Sequence, residues 1–116
     1  MAPRGILLAA STASFVLAIG IAQAIAGEPV PSRQEALLYR LTQDCGSCHG
    51  MTLKGGLGPP LLPAALADKP DEVLVDVILH GLPDTPMPPW GFELSRSEAA
   101  WLVRRMKQGL DHGRDN

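Results

Sequence analysis

Two cysteines and one histidine stand close together near the middle of the chain at the spacing C-x-x-C-H, as Cys45, Cys48 and His49. On a helical turn, positions i and i+3 share a face, so both thiols can reach the two vinyl groups along one side of a porphyrin. The imidazole that follows can lie beneath the iron, while its other ring nitrogen donates to a carbonyl. The motif therefore predicts one covalent haem c, attached through Cys45 and Cys48, with His49 as an iron ligand.

Two other kinds of site use a similar cysteine spacing. A thioredoxin-type redox pair needs a βαβ setting, and no stretch of this chain alternates apolar and polar residues as a strand would. A zinc site needs further ligands, which His80 and His112 could supply, although without a recognisable spacing. Haem attachment fits the sequence better than either alternative.

Iron bound by His49 needs its second ligand from the opposite face of the porphyrin, and a methionine is the leading candidate. Met51 is too close to His49 in sequence to cross the ring, and Met106 lies on the apolar stripe of a predicted helix, where core packing explains it. Met1 belongs to a predicted signal peptide and is removed with it, so it cannot be the ligand. Met87, between two prolines on a stiff loop, is the predicted second ligand, and His80 is its competitor.

Apolar residues at helical spacing predict an all-α domain. The predicted helices cover residues 32–44, 61–67, 71–80 and 95–108. The first and the last begin with capping boxes, at Ser32 and Ser95. The apolar residues of the third are Val73, Leu74, Val77 and Ile78. Glycine- and proline-rich loops, residues 50–60 and 82–92, lie between helices, and the first could be an ordinary flexible loop or a close wall against a ligand.

The first 26 residues have the pattern of a secretory signal peptide. Arg4 is followed by a long uncharged stretch, and Ala24-Ile25-Ala26 forms the last A-x-A site before charge returns. Two regions are therefore predicted, a signal peptide at 1–26 and a monohaem cytochrome c domain at 27–116. Export to the periplasm follows, with membrane anchoring as the alternative if the leader is not cleaved.

Charge and length restrict the function classes. Losing Arg4 with the leader leaves nine basic and twelve acidic residues, without the polybasic run that nucleic-acid binding would require. A domain of about 90 residues has a small apolar core and is only marginally stable by itself. A large apolar cofactor bound inside it would add the missing core contacts. We therefore expect a monomer that binds no nucleic acid and has no stable membrane association once the leader is removed.

The residues around these motifs resemble those of class I c-type cytochromes. Residues 58–61 have the sequence Gly-Pro-Pro-Leu, which matches the G-P-x-L motif of the family, and Met87-Pro88 matches the M-P of its distal ligand loop. The resemblance implies a small helical domain wrapped around the haem. It further implies that Pro59 supplies the carbonyl for His49, that Leu61 packs on the haem, and that Met87 binds iron.

Residues 44–50, 52–59 and 87–90 are similar to those of the small monohaem cytochromes of bacterial nitrite-reductase gene clusters. This resemblance implies an electron-transfer protein rather than an enzyme, active in denitrification. Its partner would be cytochrome cd(1) nitrite reductase, as electron acceptor, or a haem d(1) maturation protein, as donor. The alternatives are an NO- or peroxide-reactive haem enzyme or sensor with an open distal site, and a subunit of a larger haem enzyme.

Overall fold

The computed structural model describes Gly5 and residues 27–110, so the rest of the predicted signal peptide and the last six residues, including His112, lie outside what it describes. The helical elements are α1 (Pro31–Arg40), a π-helical segment (Leu41–Cys45), α2 (Gly46–His49), α3 (Pro63–Leu66), α4 (Asp71–His80) and α5 (Arg96–Gln108). No strand occurs in residues 27–110, which confirms the all-α prediction. None of the helices in this part of the chain is long and apolar enough to cross a bilayer.

The first helix differs from its prediction at both ends. It begins at Pro31 after Val30, and no side chain caps it, so the capping box predicted at Ser32 is wrong. Proline is favoured at the first helical position because its missing N–H would be unpaired there anyway. At the other end the helical path continues beyond residue 44 through the π-helical segment into α2, and it stops at His49.

The last two helices follow their local sequence signals. α4 covers the predicted residues 71–80, and Gly81 ends it with a φ of 74°. α5 begins at Arg96 because Ser95 is its N-cap. The predicted capping box is confirmed, since the Glu98 N–H donates to Ser95 Oγ over 3.2 Å and the Ser95 N–H donates to Glu98 Oε2 over 2.8 Å. The short helix α3 lies inside the predicted range 61–67.

One apolar core joins the helices. It contains Leu37, Leu41, Leu53, Leu66, Val75, Leu79, Leu94, Ala99, Trp101, Leu102, Val103 and Met106. The predicted stripe of α4 is wrong in one respect, because Val73 is 53% exposed while Val75 and Leu79 are buried. α4 packs against α5, and this tertiary contact selects the buried face of a helix that is apolar on several sides.

Candidate functional site

The attachment motif lies where a π-helical turn passes into a short α-helix. The N–H of Gly46 donates to the carbonyl of Leu41, five residues earlier, so the helix is widened immediately before the motif. Single π-turns of this kind are frequent at functional sites. Cys45 and Cys48 are both half-buried and free, one at the end of the π segment and the other within α2. Both thiols can therefore react with a cofactor at the surface of the core.

Pro59 holds the imidazole of His49. Its carbonyl oxygen lies 2.7 Å from His49 Nδ1. If Nδ1 carries the proton, it donates to this carbonyl, and Nε2 is left as the ring nitrogen that can bind a metal. The structure thus brings together His49 and the residue that the resemblance implied as its acceptor. Iron ligation by His49 stays a prediction.

The glycine-rich loop 50–60 wraps closely around the end of α2. The N–H of Gly55 donates to the His49 carbonyl and that of Gly58 to the Cys48 carbonyl, each over 2.8 Å. A Cβ atom at Gly58 would lie 2.7 Å from Cε1 of the His49 ring. Gly50 has a φ of 88°, and a Cβ there would lie 2.7 Å from the Gly55 carbonyl oxygen. The loop therefore packs closely against the imidazole, and these contacts favour a close approach to a ligand over an ordinary flexible loop.

Leu61 directly follows this loop and lies beside the core. It is half-buried, packs against the core cluster, and its N–H donates to the Leu53 carbonyl over 2.9 Å. Leu53 adopts a φ of 60°, which is unusual for a leucine, and it is only 2% exposed. Burial of the Leu53 side chain offsets the strain of that backbone conformation. Leu61 is thus held at the edge of the core, and its contact with haem stays a prediction.

Met87 lies half-buried on the loop that follows α4. Its N–H donates to Thr85 Oγ1 over 3.3 Å, and its carbonyl accepts from the Leu82 N–H over 3.3 Å. Gly81 packs directly beneath it, because a Cβ there would lie 2.7 Å from the Met87 carbonyl oxygen. These bonds fix the loop but do not join Met87 to His49, so its role as second ligand stays a prediction. Gly81 was not among the predicted site residues, and its position directly before a proline-rich loop is the signal that could have identified it.

His80, the competing ligand, is exposed at the end of α4. Its Nδ1 lies 3.1 Å from the Asp76 carbonyl oxygen, so the ring is tied to its own helix. Basic side chains are favoured in the C-terminal turn of a helix, because the backbone carbonyls there have no partner within the helix. This position explains His80 without an iron-binding role.

The surroundings of the motif suit an apolar cofactor. Burial raises the pKa of the Cys45 thiol to about 11 before thioether formation, Asp44 raises it further, and Arg40 opposes the shift. Several apolar side chains pack on the core but remain half-exposed, among them Leu61, Leu74, Ile78 and Trp90. Two thiols at i and i+3, an oriented imidazole and half-exposed apolar groups together fit haem c.

Comparison with known proteins identifies the family. Residues 33–104 match the family described as cytochrome C oxidase, cbb3-type, subunit III. The chain is 56% identical over 81 residues to cytochrome c55X of Pseudomonas aeruginosa, covering 70% of this chain and 68% of that one. Among solved structures it matches c-type cytochrome NirC with a TM-score of 0.68 and 55% identity, over 69% of this chain and 94% of that one.

A second solved structure, dihydro-heme d1 dehydrogenase NirN in complex with DHE, matches with a TM-score of 0.57 and 40% identity. That match covers 67% of this chain but only 16% of the dehydrogenase chain, so the same unit forms a small part of a larger protein. The C-x-x-C-H motif, the helical fold and these likenesses agree with one another. The chain therefore belongs to the cytochrome c55X family of c-type cytochromes, and its covalently bound cofactor is haem c.

Proposed function

We propose that this chain is a periplasmic carrier of single electrons in the haem d(1) and nitrite-reductase system. The observation that carries the proposal is the pair of structural matches. The chain covers 94% of a free-standing small cytochrome, NirC, but 16% of the dehydrogenase NirN. A cytochrome unit that occurs both alone and as a small part of a dehydrogenase is suited to relaying electrons rather than to forming the substrate site.

The residues of the site support this role. Bound haem c supplies reversible one-electron chemistry. Pro59 fixes the orientation of the His49 ring, and the bonded loop around Met87 presents a thioether with little conformational freedom to lose. A methionine ligand raises the reduction potential relative to a second histidine. If both ligands stay in place in both redox states, the chain needs little rearrangement when an electron arrives or leaves.

The likeness to NirN favours one direction of electron flow. Conversion of a dihydro-haem d(1) to haem d(1) releases two electrons and two protons. A monohaem carrier accepts one electron, so two ferric carriers would be reduced for each substrate molecule oxidised. The role of electron acceptor in haem d(1) maturation is therefore preferred, and electron donation to cytochrome cd(1) nitrite reductase is the second direction.

Exposed apolar side chains near the motif suit a transient redox partner. Leu57 is 77% exposed and Met51 is 51% exposed, and the prolines that follow Met87 are exposed as well. Gly46, although it lies between the two cysteines, is buried against Met51 and so does not contribute to this surface. Electron-transfer complexes are typically small, below about 1,200 Å² of buried surface in total. An apolar contact around Met51 and Leu57 fits a complex of that size.

Export of the chain is part of the proposal. Glu28, two residues after the predicted cleavage site, accepts from Trp101 Nε1 over 2.7 Å and from Arg104 Nη2 over 3.3 Å. The residues directly after the leader thus belong to the folded domain, which supports a boundary at Gly27.

Rapid mixing under anaerobic conditions tests the function. The ferric protein is mixed with dihydro-haem d(1) dehydrogenase loaded with its dihydro-haem d(1) substrate, and the ferrous protein is mixed with cytochrome cd(1) nitrite reductase. Fast reduction in the first experiment supports the acceptor role, and fast oxidation in the second alone supports the donor role. Slow exchange in both would refute the proposal.

A surface variant and a ligand-binding measurement sharpen this test. Leu57→Lys should slow electron transfer, whereas Val73→Lys, on the exposed side of α4, is the matched control and should not. Ready binding of carbon monoxide by the reduced wild-type protein would instead favour an open distal site and therefore the enzyme or sensor alternative.

A further inference from the structure

The loop that carries Met87 is closed at its base by backbone hydrogen bonds to α4. Where the loop ends, the N–H of Trp90 donates to the Ile78 carbonyl over 2.9 Å, and the N–H of Gly91 donates to the Leu79 carbonyl over 3.0 Å. The position of Met87 therefore depends on how firmly the Trp90–Gly91 backbone stays on α4.

The segment that leaves this loop is held by Arg40, the last residue of α1. The Arg40 guanidinium lies 5.6 Å from the centroid of the Trp90 ring, and its Nη1 donates to Glu93 Oε2. Trp90 and Glu93 lie together because the Glu93 N–H donates to the Trp90 carbonyl over 3.0 Å. Phe92 stacks on Trp90 with a centroid distance of 6.3 Å. A single guanidinium thus binds a side chain at each end of one turn.

Arg40 also faces the attachment motif. Its Nη1 lies 3.9 Å from Asp44 Oδ2, one turn further along the chain and directly before Cys45. The side chain of Arg40 is only 25% exposed, so its interactions are partly shielded from solvent. Arg40 therefore connects the segment that enters the attachment motif with the segment that leaves the Met87 loop.

We propose that Arg40 is a positioning residue, which holds the exit of the Met87 loop against the helix leading into the attachment motif and so keeps Met87 directed at the haem iron. The proposal rests on the proposed function, in which Met87 is the second ligand. A lysine would keep the positive charge but lose the planar stacking on Trp90 and the fork of donors. Arg40→Lys should therefore disturb the position of the Met87 loop less than Arg40→Gln does.

The test compares Arg40→Gln, Arg40→Lys and Glu93→Gln in the protein loaded with haem. Arg33→Gln is the matched control, because Arg33 also lies on α1 and forms an ion pair of 2.5 Å with a distant residue, Glu98, but not with the loop. Amide hydrogen exchange is followed in the ferrous protein, and the ferric protein is examined for its Met–iron charge-transfer band and its reduction potential. Loss of the ion pair with Glu93, the longer one with Asp44 and the cation–π contact with Trp90 should speed exchange at Trp90 and Gly91 by about five- to thirty-fold.

We expect Arg40→Gln to give this acceleration, a weaker charge-transfer band and a lower potential, with smaller changes in Arg40→Lys and Glu93→Gln. Arg33→Gln should leave the charge-transfer band and the reduction potential unchanged. It should raise hydrogen exchange uniformly along the chain rather than at Trp90 and Gly91 in particular. Equal effects in the Arg40 and Arg33 variants would overturn the proposal, as would faster exchange with an unchanged band and potential. A wild-type protein that lacks the band, and that Met87→Ala leaves unaltered, would instead refute the ligand assignment on which the proposal rests.

Discussion

Replacing Gly58 by alanine should displace the imidazole of His49. A Cβ atom at this position would lie 2.7 Å from Cε1, 2.8 Å from Nδ1 and 3.2 Å from Nε2 of the ring. Real Cβ contacts are almost never shorter than 3.0 Å, so either the ring or the loop must move. The ring is bonded to the Pro59 carbonyl, one residue further along the same loop, and either movement strains that bond.

Two terms set the loss in free energy of unfolding that Gly58→Ala should cause. Overpacking a filled site costs about 1–3 kcal/mol. Weakening the hydrogen bond from His49 to Pro59 costs roughly a further 1 kcal/mol. We therefore expect the free energy of unfolding of the haem-loaded protein to fall by about 2–4 kcal/mol, which is a large part of the stability of a small domain. The altered imidazole orientation should also shift the ferric EPR signal.

Urea unfolding and low-temperature EPR measure these two effects. Gly46→Ala is the matched control, because Gly46 lies in the attachment motif beside His49 with helical angles of −61° and −25°, and a Cβ there would come no nearer than 3.4 Å to another atom. Alanine in a helix is more stable than glycine by about 0.5–1 kcal/mol, so this control should not be destabilised. If Gly58→Ala unfolds at the same urea concentration as the wild type with an unchanged EPR signal, the inferred contact with His49 does not exist.

Three further predictions concern the ligands, an ion pair and the leader. Met87→Ala should abolish the Met–iron charge-transfer band and allow carbon monoxide to bind the reduced protein, whereas His80→Ala should do neither; the reverse result would make His80 the ligand. Hydrogen bonding by Arg33 lowers the pKa of Glu98 to about 2 from its usual 4.5, so the pair stabilises the folded state fully above pH 4.5 and progressively less as the pH falls towards 2. Because the Arg33 side chain is 39% exposed, we expect Glu98→Gln to cost about 1–2 kcal/mol at pH 7, and urea titrations that give the same difference at pH 3 would contradict this. N-terminal sequencing of the exported protein should begin at Gly27, and an intact Met1 on a membrane-bound form would indicate an anchor instead.

Local chemistry made several elements predictable from the sequence. Ser95 and Glu98 cap α5 as expected, because both capping hydrogen bonds join residues three apart and need no other part of the chain. α4 likewise begins after a proline and stops at Gly81, where only a residue without a side chain easily adopts the observed φ. At the first helix the sequence contains two possible start signals, a capping box at Ser32 and a proline at position 31. The helix begins at the proline, and the capping box does not form.

The sequence by itself determined the cofactor, since C-x-x-C-H specifies haem attachment through spacing alone. The tertiary structure decided which face of α4 is buried, that the glycines of loop 50–60 are needed for close approach to His49, and that Arg40 meets Trp90 and Glu93. These features join residues that are distant in sequence, or depend on the space left by a neighbouring segment. Such contacts leave no periodic or short-range pattern, because they arise only when separate helices and loops pack together.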